Sequence, residues 1–230
     1  IYVNPTQFGA NEDLDKYPRT LAADCTQLEA LGVDFVFTPS DAEMYPNGFE
    51  NRTQISVEHL SNVLCGSRRE GHFNGVCIIV AKLFNLVQPD YAIFGQKDLQ
   101  QLTIIRHMTS DLCMPITIIG VDTRREQSGL AMSSRNGYLS DQQKLLAANI
   151  YATLKKIKQA IERSHYNYSE LSSKASAALN ELGFCTDYLE IRRTSDLQLA
   201  EDGQRDAELA IFIAAYLDNT RLIDNMIIRL

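Results

Sequence analysis

Four stretches of the chain bring together side chains able to hold a small polar ligand. In "VNPTQF" (3–8), Asn4 and Gln7 follow an apolar run, and their neutral amides can read a hydroxyl or a carboxylate without adding charge; turn chemistry around Pro5 is the competing account. In "IFGQKDLQQL" (93–102), a strand-like run breaks at Gly95, where backbone can approach a ligand closely. Lys97 then offers a compact positive charge suited to phosphate, and Asp98 suits a ribose hydroxyl, a metal or a helix cap. Gln101 lies one turn into the helix that follows. A solvated lysine and a capping aspartate would satisfy the same residues. "SRREGHFNGV" (67–76) sets Arg68, Arg69 and His72 in a glycine-flanked loop, although exposed arginines are commonly solvated and single histidines commonly structural. In "GLAMSSRNGYLS" (129–140), Met132 precedes two hydroxyls and a cation, Ser133-Ser134-Arg135.

Chemistry of this kind gathers where parallel strands end, because loops and helix N-termini leave a crevice there. From residue 1 to about 122, strand-like runs ("IYV", "VDFVF" at 33–37, "YAIF" at 91–94, "ITIIGV" at 116–121) alternate with helical ones. That alternation predicts a parallel sheet with crossover helices. One helix is expected from about Arg19 to Leu31. Another is expected over Gly75–Val87, where Val76, Ile79, Val80, Leu83, Phe84 and Val87 form one stripe and Pro89 stops the pattern. After Arg135 the style changes. Ser140 and Gln143 read as a capping box that opens a long helix with core positions Leu146, Ile150, Leu154, Ile157 and Ile161. A helix over about Ser169–Leu182 should end at Gly183 in a left-handed cap. The runs at 187–192, 208–217 and 225–230 have no helices between them and should pair antiparallel. The expected fold is α/β: a parallel-sheet domain with crossover helices over 1–122, then a smaller α+β domain with antiparallel strands over 123–230.

The composition narrows the partner. A chain of 230 residues, 45% hydrophobic, can bury a sizeable core, and 29 acidic against 22 basic residues, with no basic run, argues against nucleic acid and anionic membranes. No stretch approaches the ~18 continuous apolar residues of a membrane span. Five scattered cysteines without a CxxC pair suit a reducing, cytoplasmic setting. A small-molecule partner is favoured.

Read in order, "VNPTQF", "DLDKYPRT", "PSDAEMYPNG", the "GHF" loop, "KLFNLVQPD", "FGQKDLQQL", "GLAMSSRNGYLS" and "TRLIDN" at 220–225 make the chain resemble the pantothenate synthetase (pantoate–beta-alanine ligase) family over essentially its whole length. The resemblance implies a Rossmann-like nucleotidyltransferase domain over 1–122 with its start missing, a lid domain over 123–230, and a two-step ligation. ATP would activate pantoate as pantoyl adenylate with loss of pyrophosphate, and the beta-alanine amine would then displace AMP. It implies that Gln7 and Gln101 hold pantoate and that Gly95, Lys97, Asp98, Met132, Ser133, Ser134 and Arg135 hold ATP. Catalytic roles would fall to Lys97, Ser133, Ser134 and Arg135. Asn4, Arg69 and His72 would border the beta-alanine approach, with Tyr17 and Asp24 near the mouth. Ser133-Ser134-Arg135 would be the counterpart of the KMSKS loop of class I aminoacyl-tRNA synthetases, clasping phosphates. Mg²⁺ would accompany ATP through ligands that the sequence does not identify, and a homodimer is implied.

The chain departs from that family's pattern at Glu70, where proline is usual, and at Asn74, where arginine is usual. The family's HxGH motif is not found: the histidines are His59, His72, His107 and His165, and no two have that spacing. The expectation is a chain lacking roughly the family's first quarter, and so catalytically incomplete, or an altered relative. The alternative function is a non-catalytic adenine-nucleotide or pantoate-binding relative. A nicotinamide-dependent dehydrogenase is disfavoured, since no GxGxxG follows any strand.

Overall fold

Apolar alternation makes a strand only where a neighbour completes its hydrogen-bond ladder. The computed structural model describes residues 1–9, 12–50 and 52–230. Within them, "IYV" and "VDFVF" are not strands: the N-terminal amine of Ile1 donates to the Phe37 carbonyl, but no ladder forms. Phe35 is 91% exposed. The parallel sheet therefore has two strands, β1 (Tyr91–Gly95) and β2 (Thr117–Val121), paired from Tyr91↔Thr117 to Gly95↔Val121. This corrects the larger sheet expected from the sequence.

The helices of this half follow its apolar spacing. A 3-10 turn at Pro5–Gln7 leads to α1 (Leu21–Ala30), then to the short α2 (Asp41–Met44) and α3 (Glu58–Ser61), and then to α4 (His72–Val87). Gly71, at φ 73°, lets α4 begin three residues before the expected position. Its Val76, Ile79, Val80 and Phe84 are buried, whereas Val87 is exposed. A 3-10 turn, Gln96–Asp98, links β1 to α5 (Leu99–Asp111), which buries Leu102, Ile105 and Met108 in the same core.

In the second half, Ser140 caps α6 (Asp141–Ala147) through the expected reciprocal pair with Gln143. The long helix is broken after α6 and resumes as α7 (Asn149–Glu162). The Asn149 amide donates to the Leu146 carbonyl, a side-chain bond that competes with the helical ladder at the break. α8 (Tyr168–Glu181) is followed by Gly183 at φ 94°, as expected. The strands β3 (Cys185–Arg193), β4 (Glu208–Leu217) and β5 (Thr220–Arg229) form an antiparallel sheet in that order. β5 starts five residues earlier than the apolar run suggests, because residues 218–219 turn directly back onto β4.

This sheet is buried on both faces. Ala210, Phe212 and Ala214 of β4 pack with the cores of α4 and α5, while Leu209, Ile211, Ile213 and Ala215 pack with Ile150, Leu154, Ile157 and Ile161 of α7. A strand covered on both sides reads as a continuous apolar run, which accounts for "ELAIFIAAYL". One strand thus binds the two cores together.

The polar loop at Pro5–Gln7 is fixed on α4 by close approach. A Cβ added at Gly75 would lie 2.2 Å from the Thr6 carbonyl oxygen, and the Asn4 amide donates to the Gly75 carbonyl at 3.0 Å. Gly75→Ala should therefore destabilise the protein by about 1–3 kcal/mol through forced backbone displacement, although alanine gains up to ~1 kcal/mol in a helix interior. Urea denaturation tests this, and an unchanged or raised midpoint would contradict the packing described.

Candidate active site

Three junctions deliver polar side chains to one side of α4 and α5: the turn after residue 4, the β1–α5 connection and the loop before α6. A cavity of about 660 Å³ opens between them, within the range of small-molecule sites. Gln7, Lys97, Asp98 and Gln101 line it, and Met132, Ser133, Ser134 and Arg135 line the facing wall. Arg69, His72 and Tyr17 complete the residues singled out from sequence that reach it. A larger adjoining cleft of about 1030 Å³ shares Arg69, Lys97, Asp98, Ser133 and Arg135, and extends past Arg68 to Tyr216 and Arg221 at the β4–β5 turn. The shared residues stand on the boundary between the two spaces.

Three residues marked from sequence line neither space. Asn4 is 2% exposed, with its amide consumed internally: Nδ2 donates to the Gly75 carbonyl, and Oδ1 accepts from the Tyr45 hydroxyl at 2.8 Å and the Thr6 hydroxyl at 3.1 Å. It shapes the turn that presents Gln7. Gly95 is the last residue of β1 and is paired with Val121. Asp24 sits in the first turn of α1, where it accepts from the Thr20 hydroxyl.

The polar residues of "QKDLQQ" divide by function once their directions are known. Gln100, 5% exposed, donates from Nε2 to the Leu60 and Val63 carbonyls and accepts from the Cys65 amide. It braces the turn leading to Arg68 and Arg69. Gln101, its neighbour, faces the cavity. Among the described residues, Lys97 forms no ion pair.

The other two cavity cations are held by carboxylates that sequence reasoning missed. Arg69 grips Glu12 with Nε at 2.6 Å and Nη2 at 2.5 Å, and Arg135 grips Asp13 with Nε at 3.0 Å and Nη2 at 2.7 Å. Burial opposes ionisation of both carboxyls, but the arginine bonds outweigh it and hold each below its usual range. Tyr138 adds a hydroxyl to Asp13 and donates to the Lys16 carbonyl, so residues 13–16 are fastened to the Ser134–Tyr138 turn. The adjacency of opposite charge in "NEDLDK" was the available signal, but a charged run reads as solvated until its partners are known.

His72 completes this polar shell. Its Nε2 lies 2.8 Å from Nη1 of Arg69, which can only donate, so Nε2 accepts and Nδ1 carries the proton given to the Gln7 carbonyl at 2.7 Å. Burial, and secondarily the Arg69 charge, push the imidazole down to about 4. It is therefore neutral and positions the backbone of Gln7.

The unfolded chain protonates this histidine near 6.5, whereas the folded one does so only near 4. Protons therefore favour the unfolded state throughout that interval, and stability should fall as pH drops from about 6.5 to 4, with His72 accounting for about 3 kcal/mol. The lowered Glu12 and Asp13 carboxyls act with the same sign at the acidic end. Urea midpoints against pH should show a shallower slope in His72→Gln over this window; an identical slope would refute the neutral, buried imidazole.

This constellation can be set beside known proteins. The family model described as pantoate-beta-alanine ligase matches residues 1–227. Pantothenate synthetase of Idiomarina loihiensis is 53% identical over 226 residues, covering 98% of this chain and 79% of that protein. The Shewanella halifaxensis pantothenate synthetase is 51% identical over 230 residues, covering 100% and 80%. Among solved structures, pantothenate synthetase from Thermus thermophilus superposes with a TM-score of 0.91 at 39% identity, covering 98% of this chain and 81% of that one. Pantoate-beta-alanine ligase from Francisella tularensis, complexed with beta-gamma ATP and beta-alanine, gives a TM-score of 0.76 at 32% identity, covering 98% and 77%. With the family's pattern spanning 227 residues and the fold shared, the chain belongs to the pantoate-beta-alanine ligase family.

Proposed function

We propose that the chain joins pantoate to beta-alanine at the expense of ATP, through a pantoyl-adenylate intermediate, releasing pyrophosphate and AMP. The observation that carries this reading is the convergence of two amides, an unpaired lysine and the Ser-Ser-Arg turn on one cavity in a chain of this family. In this reading residues 1–122 form the nucleotide- and pantoate-binding unit and 123–230 close over it. Gln7 and Gln101 hold the hydroxyls and carboxylate of pantoate. Lys97 meets the phosphates directly, Ser133 and Ser134 supply adjustable donors, and Arg135 exchanges Asp13 for phosphate oxygen. Attack by the carboxylate oxygen on the α-phosphorus breaks the bond to pyrophosphate and gathers negative charge, which prearranged cations stabilise. In the second step an unprotonated amine attacks the acyl carbon and AMP leaves with the bonding electrons, in a crevice that limits competing hydrolysis. Arg69 and the neutral His72 shape the wall on that side.

Magnesium fits this donor set as a companion of the triphosphate. Among the described residues no group of three His, Cys, Asp or Glu side chains could form a metal cage, and Asp98 is the carboxylate beside Lys97. A cation bound mainly by phosphate and water, with Asp98 within its surroundings, would supply charge neutralisation. No helix among the described residues is long and apolar enough to cross a membrane. Five free cysteines, two of them exposed, favour the cytoplasm. Exposed Phe35, Ile93 and Leu86 favour a homodimer formed through the N-terminal half; sedimentation at micromolar concentration should give twice 25.9 kDa, and the monomer mass would dismiss it.

Two substitutions separate the ligands. In the full-length protein Lys97→Ala should slow pantoate- and ATP-dependent pyrophosphate release by at least ~10²-fold. Gln101→Ala should weaken pantoate binding by about 1–3 kcal/mol while leaving ATP binding largely unaltered. Near-normal pyrophosphate release in the first, or unchanged pantoate affinity by calorimetry in the second, would overturn the corresponding assignment.

A further inference from the structure

Asn225 is a polar residue on an apolar face. On β5 it lies between Ile223 and Ile227, which pack against the core of α4 and α5, and it stands opposite Phe212 of β4. It is 6% exposed. Its Nδ2 donates to the Gln96 carbonyl at 2.8 Å and to the Lys97 carbonyl at 2.8 Å. Both partners are pure acceptors, so only the nitrogen of the amide can face them; the reverse orientation would set oxygen against two oxygens. Both amide hydrogens are thereby used on consecutive peptide groups, and those groups belong to the short turn from which the Lys97 side chain enters the cavity.

We propose that Asn225 is a positioning residue for the reaction. From the far sheet it locks the Gln96–Lys97 backbone, so that the Lys97 ammonium is set at the phosphate position before ligand arrives. The proposal rests on the role given to Lys97 above. It assigns no contact between Asn225 and substrate. A three-residue turn has few bonds of its own, and two carbonyls gripped by one rigid amide remove the peptide rotations that would swing Lys97 away. Preorganisation of this kind acts on the transition state, where small misplacement of a charged group is costly.

The test is a double-mutant cycle in the full-length protein, with pantoate- and ATP-dependent pyrophosphate release as the readout. Asn225→Leu keeps the approximate volume and removes both donors; it should lower kcat at least ~10-fold among molecules that retain the parent's circular dichroism and elute as the parent does. Combined with Lys97→Ala it should lose little beyond Lys97→Ala alone, because residues acting through one group are not additive. Asn225→Asp provides a second, isosteric variant: its rate relative to the parent should rise as pH is lowered, since a protonated carboxyl regains one donor. Parent-like kcat and ATP KM in Asn225→Leu would overturn the proposal, as would losses that multiply in the double variant. If Asn225→Leu does not fold, a pH-independent ratio for Asn225→Asp overturns it. Failure of the Lys97 reading itself is recognised separately, by normal turnover in Lys97→Ala.

Discussion

Neighbouring residues on a strand point to opposite faces, and the site depends on how β5 uses that geometry at Asp224 and Asn225. Asn225 reaches one face and takes the two carbonyls beside Lys97. Asp224 reaches the other and takes the Arg125 guanidinium in two bonds, at 2.6 and 3.0 Å, while Arg125 stacks over Tyr151 at 3.8 Å. Arg125 also donates to the Gly129 carbonyl, so this buried pair anchors the loop that carries Ser133, Ser134 and Arg135. Removing one partner of such a pair typically costs about 3–5 kcal/mol, because a charge is left buried alone. The two walls of the cavity are thus referenced to consecutive residues of one strand. That strand is paired along its length with β4, whose two faces join the cores.

The charges at the cavity differ in readiness. Arg69 and Arg135 are committed to Glu12 and Asp13, and their partial burial makes those pairs costly to leave unmatched. Lys97 has no ion-pair partner among the described residues. On the proposed reading a phosphate would engage Lys97 at no electrostatic loss, whereas Arg135 would have to exchange one anion for another. The exchange would free Asp13 and leave the Tyr138 hydroxyl with the Lys16 carbonyl as its remaining partner. Ligand binding and the arrangement of residues 12–17 would then be coupled through this substitution.

Much of the scaffold was legible because its signals are local. Ser140 with Gln143, Gly183, and the apolar stripes of α4 and α7 act within a few residues, and the structure follows them. The opening "IYV" and "VDFVF" have the composition of strands but no ladder partner, which no local pattern can supply. The limit is sharper at the site. Asn4 and Gln7 are both amides near one turn, as Gln100 and Gln101 are on one helix, yet one of each pair is consumed by internal hydrogen bonds and the other faces the cavity. Side-chain type gave the chemistry, but only direction distinguishes brace from binder. Glu12, Asp13 and Asn225 were invisible for a related reason: their partners lie 57, 122 and 128 residues away.

The central claim is that the triphosphate lies between Lys97 and the Ser133–Arg135 turn, with pantoate on Gln7 and Gln101. A crystal structure with a non-hydrolysable ATP analogue, magnesium and pantoate tests it most directly. The account predicts phosphate oxygens within hydrogen-bonding distance of Lys97 Nζ and of the Ser133 or Ser134 hydroxyl, and the Arg135 guanidinium moved from Asp13 to phosphate. A nucleotide seated instead in the cleft beside Arg68, Tyr216 and Arg221, with Arg135 still paired to Asp13, would contradict it.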